Sequence, residues 1–112
     1  MKLTILKEKL KDGLPAVERA TARSSSLPIL SNILVVAEKN FLELSATDLE
    51  IGIRYRVVTQ NERDGSVVIP SRLLSQFIGL LPDDHLTLYT KDSALLFQTK
   101  GYNTQIKTLG AE

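Results

Sequence analysis

The sequence predicts an α+β fold in which two amphipathic helices pack on one face of a mainly antiparallel sheet. Two stretches carry apolar residues at helical spacing, and the segments around them alternate apolar and polar residues as strands do. The order strand, helix, three strands occurs twice, which indicates a duplicated unit. At 112 residues, with 43% hydrophobic and 24% charged residues, the chain has the size and composition of one globular domain spanning residues 1–112.

The first half begins with the short strand "KLTIL". A helix from about Lys7 to Thr21 follows, because apolar residues recur there every three or four positions, and Pro15 is expected to kink it. The segments "LPILSNILVVAEKN" and "FLELSAT" predict a hairpin that turns at "KN". "LEIGIRYRVVTQ" is the third strand of this unit, and "NERDG" is a turn signal that closes it.

The second half repeats the order. "SVVIP" predicts a strand, and "SRLLSQFIGLLP" predicts a helix with Ser71 as N-cap and Pro82 as the stop. Three strands follow in "HLTLYT", "ALLFQTK" and "YNTQIKT", with turns at "KDS" and "GYN".

The net charge of +1 is unevenly distributed along the chain. Residues 1–23 and 71–81, which contain both predicted helices, together carry +4, and the rest carries −3. If both helices cover one face, that face attracts polyanions and the sheet side with its loops is acidic. Lys7, Lys11 and Arg19 are expected to lie away from the apolar stripe and to attract phosphate, although a solvated mixed-charge face fits the same pattern.

No catalytic motif is present. The chain has no cysteine and one histidine, and it lacks the glycine-rich phosphate-binding sequences. Asp83, Asp84 and His85 could suggest metal or acid–base chemistry, but a helix-to-strand turn accounts for them better. We therefore expect neither enzymatic activity nor a cofactor or metal.

Asp48 and Glu50 lie two residues apart on one side of a predicted strand, as a two-carboxylate site would require. Arg54 and Arg56 share that side, so cross-strand charge pairs on a wet sheet face explain the acids more simply. No apolar run approaches the roughly 20 residues of a membrane helix, and no signal peptide is recognisable, so a soluble cytoplasmic protein is expected.

Four stretches resemble one family, the bacterial β sliding clamp, which is the β subunit of DNA polymerase III. They are "MKLTILKEKL", "LPILSNILV", "LSATDLEIGI" and "VIPSRLLSQFIGLLP", and the resemblance covers essentially the whole chain. It implies a DNA-clamp processivity fold and a ring-shaped homodimer of three-domain subunits, with helices lining the hole. Such a ring encircles double-stranded DNA without reading its sequence and tethers the replicative polymerase, catalysing nothing itself. This chain resembles the N-terminal domain alone.

The resemblance also implies roles for particular residues. The loop "TARSSSLP" matches a family loop that touches DNA through an arginine. Here the arginine is Arg23, one place earlier than in the family, and Ser24 stands in the usual position, so the contact is either retained or weakened. Arg72 matches a cation common at the start of the second helix. The family's dimer interface corresponds here to Leu73, Leu74, Phe77, Asn103, Thr104, Gln105 and Ile106.

The chain ends at "TLGAE", where the family has a proline after the leucine and continues into a second domain. The cleft that receives the DNA polymerase III alpha subunit and the clamp loader lies in domains absent from this sequence, so this chain alone is not expected to close a ring. A small stand-alone protein-interaction domain is the alternative.

Overall fold

The structure is a computed structural model that describes residues 1–21, 32–47 and 51–109. These residues form two helices, α1 (Lys7–Arg19) and α2 (Ser71–Leu80), and nine strands. The strands are β1 (Lys2–Leu6), β2 (Asn32–Glu38), β3 (Phe41–Thr47), β4 (Gly52–Val58), β5 (Gln60–Arg63), β6 (Gly65–Pro70), β7 (His85–Lys91), β8 (Ala94–Thr99) and β9 (Tyr102–Lys107). The predicted α+β class is confirmed, and the repeated order of strand, helix and three strands is present with one additional strand, β5, in the first half.

The strands divide between two antiparallel sheets instead of the single sheet that the sequence suggested. One sheet has the order β5-β1-β7-β8-β9 and the other has the order β4-β3-β2-β6. Each half of the chain therefore gives its first strand to the other half's sheet, since β1 pairs with β7 and β6 pairs with β2. This exchange joins the two units into one core.

Alternating burial sets the faces of both sheets. In β3, for example, Leu42 and Leu44 are fully buried and Phe41 and Thr47 are exposed. The helices cover the inner faces: α1 contacts β1, β3 and β4, α2 contacts β2, β6 and β9, and the helices also contact each other. Two packed helices on an apolar sheet surface are the usual way to close such a core.

Two hairpins turn as the sequence predicts. Lys39 and Asn40 between β2 and β3 both have positive φ, 51° and 62°, and so do Asp92 and Ser93 between β7 and β8, at 51° and 61°. Two successive positive-φ residues match the right-handed twist of the flanking strands.

Several boundaries differ from the prediction. The segment "NERDG" was predicted to be a turn, but Gln60–Arg63 forms strand β5, which pairs with β1 at the sheet edge. Ser71 is the first residue of α2 and not its N-cap, because Pro70 holds that position and makes no side-chain capping bond. Helix α1 ends at Arg19, two residues before the predicted end at Thr21. Its helical geometry continues through Pro15.

Gly13 of α1 allows a close approach between the helix and strand β4. A Cβ atom at position 13 would overlap the aromatic ring of Tyr55, whereas a Cβ atom at Gly79 of α2 would meet nothing within 4 Å. The glycine at position 13 is therefore required by packing, and the glycine at position 79 is not.

These two helical glycines give a matched pair of variants. We expect Gly13→Ala to lower the free energy of unfolding by about 1–3 kcal/mol, because the Tyr55 ring must move. Gly79→Ala should leave it unchanged or raise it by up to about 1 kcal/mol, because alanine is the better helix former. Urea unfolding measures both. Equal effects of the two substitutions would contradict the close contact at Gly13.

Candidate nucleic-acid interface

Exposed cations lie on the solvent side of both helices. Lys11 and Arg19 of α1 are exposed, as predicted, and so is Arg72 of α2. Lys9 is a fourth exposed helix cation that the sequence interpretation did not single out, although its place outside the apolar stripe could have identified it. The exposed acids Glu8 and Asp12 lie among them, so the helical surface has only a moderate cationic excess.

Lys7 does not belong to this surface, and its predicted exposure is wrong. Its side chain is only 7% exposed, and its ammonium Nζ donates a 2.6 Å hydrogen bond to the carbonyl oxygen of Leu81. The carboxylate of Asp83 lies 3.4 Å from the same nitrogen. Because Leu81 caps the C-terminus of α2, the charge of Lys7 is held at the negative end of that helix and is not available to a ligand.

The C-terminal end of α1 is fastened to α2 by hydroxyl groups. The Ser75 hydroxyl donates a 2.9 Å hydrogen bond to the carboxylate of Glu18, and the hydroxyl groups of Thr21 and Ser71 lie 3.3 Å apart. The carboxylate of Glu18 is thus hydrogen-bonded to α2, while Arg19, the next residue in the sequence, is exposed. The two helices are therefore joined by side-chain hydrogen bonds near the C-terminal end of α1.

Arg23 and Ser24 lie outside the described residues, as do Asp48 and Glu50. The predicted contact of the "TARSSSLP" loop with DNA stays a prediction.

The residues predicted to form a subunit interface separate into two groups. Leu74 and Ile106 are 1% and 2% exposed and belong to the hydrophobic core, so they are not available to a partner, and that part of the prediction is wrong. Leu73 is 38% exposed, and Phe77 is half-buried against the core.

The remaining interface candidates lie on β9, an edge strand of the five-stranded sheet. Asn103 and Gln105 are exposed and Thr104 is half-buried. Among the described residues, β8 is the one strand that pairs with β9, and helix α2 contacts β9, so the outer edge of β9 has no strand partner within the described part of the chain.

The turn between α2 and β7 carries Asp83, Asp84 and His85, and it is structural, as the sequence favoured. The backbone N–H of His85 donates to the Asp84 carboxylate at 2.7 Å, and Lys100 Nζ lies 3.1 Å from it. These contacts, the backbone hydrogen bond first and Lys100 second, lower the pKa of Asp84. Among the described residues, no three His, Cys, Asp or Glu side chains are grouped to hold a metal ion.

The described part of the four-stranded sheet carries cations beside its acids on the outer face, whereas charge sorting placed the acidic excess on the sheet side and its loops. Arg54 and Arg56 both lie beside Glu43, at 3.6 Å and 3.1 Å, and Glu38 is the other outward-facing acid in the described part of this sheet. The described acids outside the helices and this face lie in turns and in the edge strand β5 (Glu62, Asp64, Asp83, Asp84 and Asp92). The cross-strand charge pairs predicted for Arg54 and Arg56 are present, and their acidic partner is Glu43 on the neighbouring strand β3.

Within the described segments, neither helix is long and apolar enough to cross a membrane.

Comparison with solved structures defines the class of fold. The structure named Caulobacter crescentus pol III beta superposes with a TM-score of 0.91 at 34% sequence identity, and the match covers 99% of this chain and 30% of that chain. The fold is therefore that of a domain from a DNA polymerase III beta subunit.

Sequence comparison gives the family. Residues 1–112 match the family model for the N-terminal domain of the DNA polymerase III beta subunit, and the chain belongs to that family. The beta sliding clamp of Synechocystis sp. is 36% identical over 79% of this chain and 23% of its own length. That of Pseudomonas aeruginosa is 34% identical over 99% of this chain and 31% of its length. The chain thus spans less than a third of the length of these relatives.

The buried ammonium of Lys7 leads to a stability prediction. Lys7→Met keeps the aliphatic stem but leaves the carbonyl of Leu81 without its donor, which should lower the free energy of unfolding by about 1–3 kcal/mol. The matched change at the exposed Lys11, Lys11→Met, should stay within about 0.5 kcal/mol of the unsubstituted chain. Urea unfolding compares the two, and a Lys7→Met variant as stable as Lys11→Met would argue against the buried contact.

The lowered pKa of Asp84 leads to a pH prediction. The contacts of Asp84 stabilise the fold at pH values above 3.8, the ordinary pKa of an aspartate carboxyl group. That stabilisation is lost as the pH falls through the lower pKa that Asp84 has in the folded state. Asp84→Asn keeps an oxygen for the His85 N–H but removes the charge. The urea midpoint of the unsubstituted chain should therefore fall more between about pH 5 and pH 2.5 than that of the variant. Parallel pH profiles would refute this role of Asp84.

Proposed function

We propose that this chain is the N-terminal domain of a DNA sliding clamp, a non-catalytic processivity factor that encircles duplex DNA and tethers the replicative DNA polymerase. Helices α1 and α2 line the hole in this proposal. Membership of the beta subunit family supports it, together with the exposed cations that the two contacting helices share. The paired helices with their cations are the observation that carries the proposal.

The charge of the helical surface suits sliding better than tight binding. Four exposed cations, Lys9, Lys11, Arg19 and Arg72, stand against two exposed acids, Glu8 and Asp12. Each neutralised phosphate adds affinity and salt dependence, so a small cationic excess attracts the DNA backbone without holding one position on it. Retention on DNA then comes from the closed ring.

The open edge of β9, with Leu73 and Phe77 beside it, suits the subunit interface of a ring-shaped homodimer. An unpaired strand edge flanked by apolar side chains is a ready surface for another chain. The DNA polymerase III alpha subunit and the clamp loader would bind to domains beyond this chain, and the cytoplasm is the compartment in which such a complex works.

Charge reversal tests the proposed DNA surface. We expect Arg19→Glu combined with Arg72→Glu to weaken binding of this chain to a duplex of about 24 base pairs at least tenfold at about 50 mM salt. The slope of log affinity against log salt should become shallower by up to about 2. Fluorescence anisotropy over a salt series measures both quantities.

The matched control is Lys91→Glu combined with Lys107→Glu, which changes the net charge equally at two exposed cations of the five-stranded sheet. It should reduce affinity far less than the helix variant. Equal losses from the two double variants would reject the helical surface as the DNA-facing one.

A further inference from the structure

Helix α1 is poorly stabilised by its own sequence. Gly13 and Pro15 both lie in its interior, and its N-cap residue, Leu6, makes no side-chain capping bond. An interior glycine costs about 1 kcal/mol and an interior proline about 3 kcal/mol relative to alanine. The position of this helix must therefore be set by contacts from outside it.

The ends of α1 are held by α2 and the loop that follows α2. At the start, the backbone N–H of Lys7 donates to the carbonyl of Asp84 at 3.0 Å, and the Lys7 ammonium bonds to Leu81. At the end, Glu18 accepts from Ser75. Between these ends, Leu10, Leu14 and Val17 are buried in the core, and Gly13 leaves room for one further contact with strand β4.

Tyr55 of β4 supplies that contact. Its hydroxyl donates a 2.8 Å hydrogen bond to the carbonyl oxygen of Lys9, and its ring occupies the space that a side chain at position 13 would need. Burial, and then the neighbouring Asp12 carboxylate, raise the pKa of Tyr55. Strand β4 is an edge strand that pairs with β3, so Tyr55 ties the helix to the rim of the four-stranded sheet.

We propose that Tyr55 is a positioning residue of the DNA-facing surface: it fixes the first half of α1, from Lys9 to Gly13, on β4 and so sets the direction in which Lys9 and Lys11 are presented. The DNA-facing part of this inference rests on the proposed function. The hydrogen bond ends on the backbone of Lys9 itself, and Lys11 follows within one helical turn, so a shift of α1 at this point moves both cations.

The test is Tyr55→Phe, which keeps the ring beside Gly13 and removes only the hydroxyl. Amide hydrogen exchange in the middle of α1 should become about fivefold faster, as expected for one lost hydrogen bond. Affinity for a duplex of about 24 base pairs should fall about threefold at about 50 mM salt, although no charge has changed. In a chain that already carries Lys9→Met and Lys11→Met, the same substitution should leave duplex affinity unchanged, because the cations it positions are gone.

The matched control is Tyr89→Phe on β7, whose hydroxyl makes no hydrogen bond to the described residues, and neither readout should change in it. Unchanged exchange in the Tyr55→Phe variant would overturn the proposal, and faster exchange with unchanged duplex affinity would reduce Tyr55 to a purely structural contact. If the unsubstituted chain bound no duplex at all, the proposed function would fail, and the exchange measurement would still decide whether Tyr55 holds α1.

Discussion

The buried ammonium of Lys7, held at the C-terminal end of α2, is the interaction on which the arrangement of the two helices depends. It joins the start of α1 to the C-terminal end of α2, and the Asp83 carboxylate lies beside it. The strand exchange between the sheets brings these two helix ends together, since β1 leads into α1 and pairs with β7, which follows α2. A buried cation without such partners would destabilise the fold, so the contact favours this particular packing.

The sequence was sufficient for the features that depend on local periodicity and turn chemistry. The alternation in β4 and the "KN" hairpin were predicted correctly because each is decided by neighbouring residues. The exchange of β1 and β6 between sheets could not be predicted, because it depends on pairings between residues far apart in the chain. Strand β5 was taken for a turn because its polar composition resembles one, and its pairing with β1 comes from tertiary structure.

The candidate site was predicted less well, for a related reason. Lys7 stands three residues before Leu10 and so lies in line with the apolar stripe, where a long aliphatic stem can be buried while the charge finds a partner. Leu73 and Leu74 are adjacent in sequence but differ in exposure, 38% against 1%, which composition alone does not reveal. Lys11, Arg19 and Arg72 are exposed as expected, because each lies outside the apolar stripe of its helix.

In the proposed function, duplex DNA lies against α1 and α2. The most direct measurement is a nuclear magnetic resonance titration of the isotope-labelled chain with a duplex of about 24 base pairs at low salt, with amide shifts mapped by residue. If DNA binds at the helices, the largest shifts should fall on the exposed residues of α1 and on the start of α2, and they should disappear as salt is added. Shifts concentrated on the outer faces of the two sheets, with the helices unaffected, would contradict it.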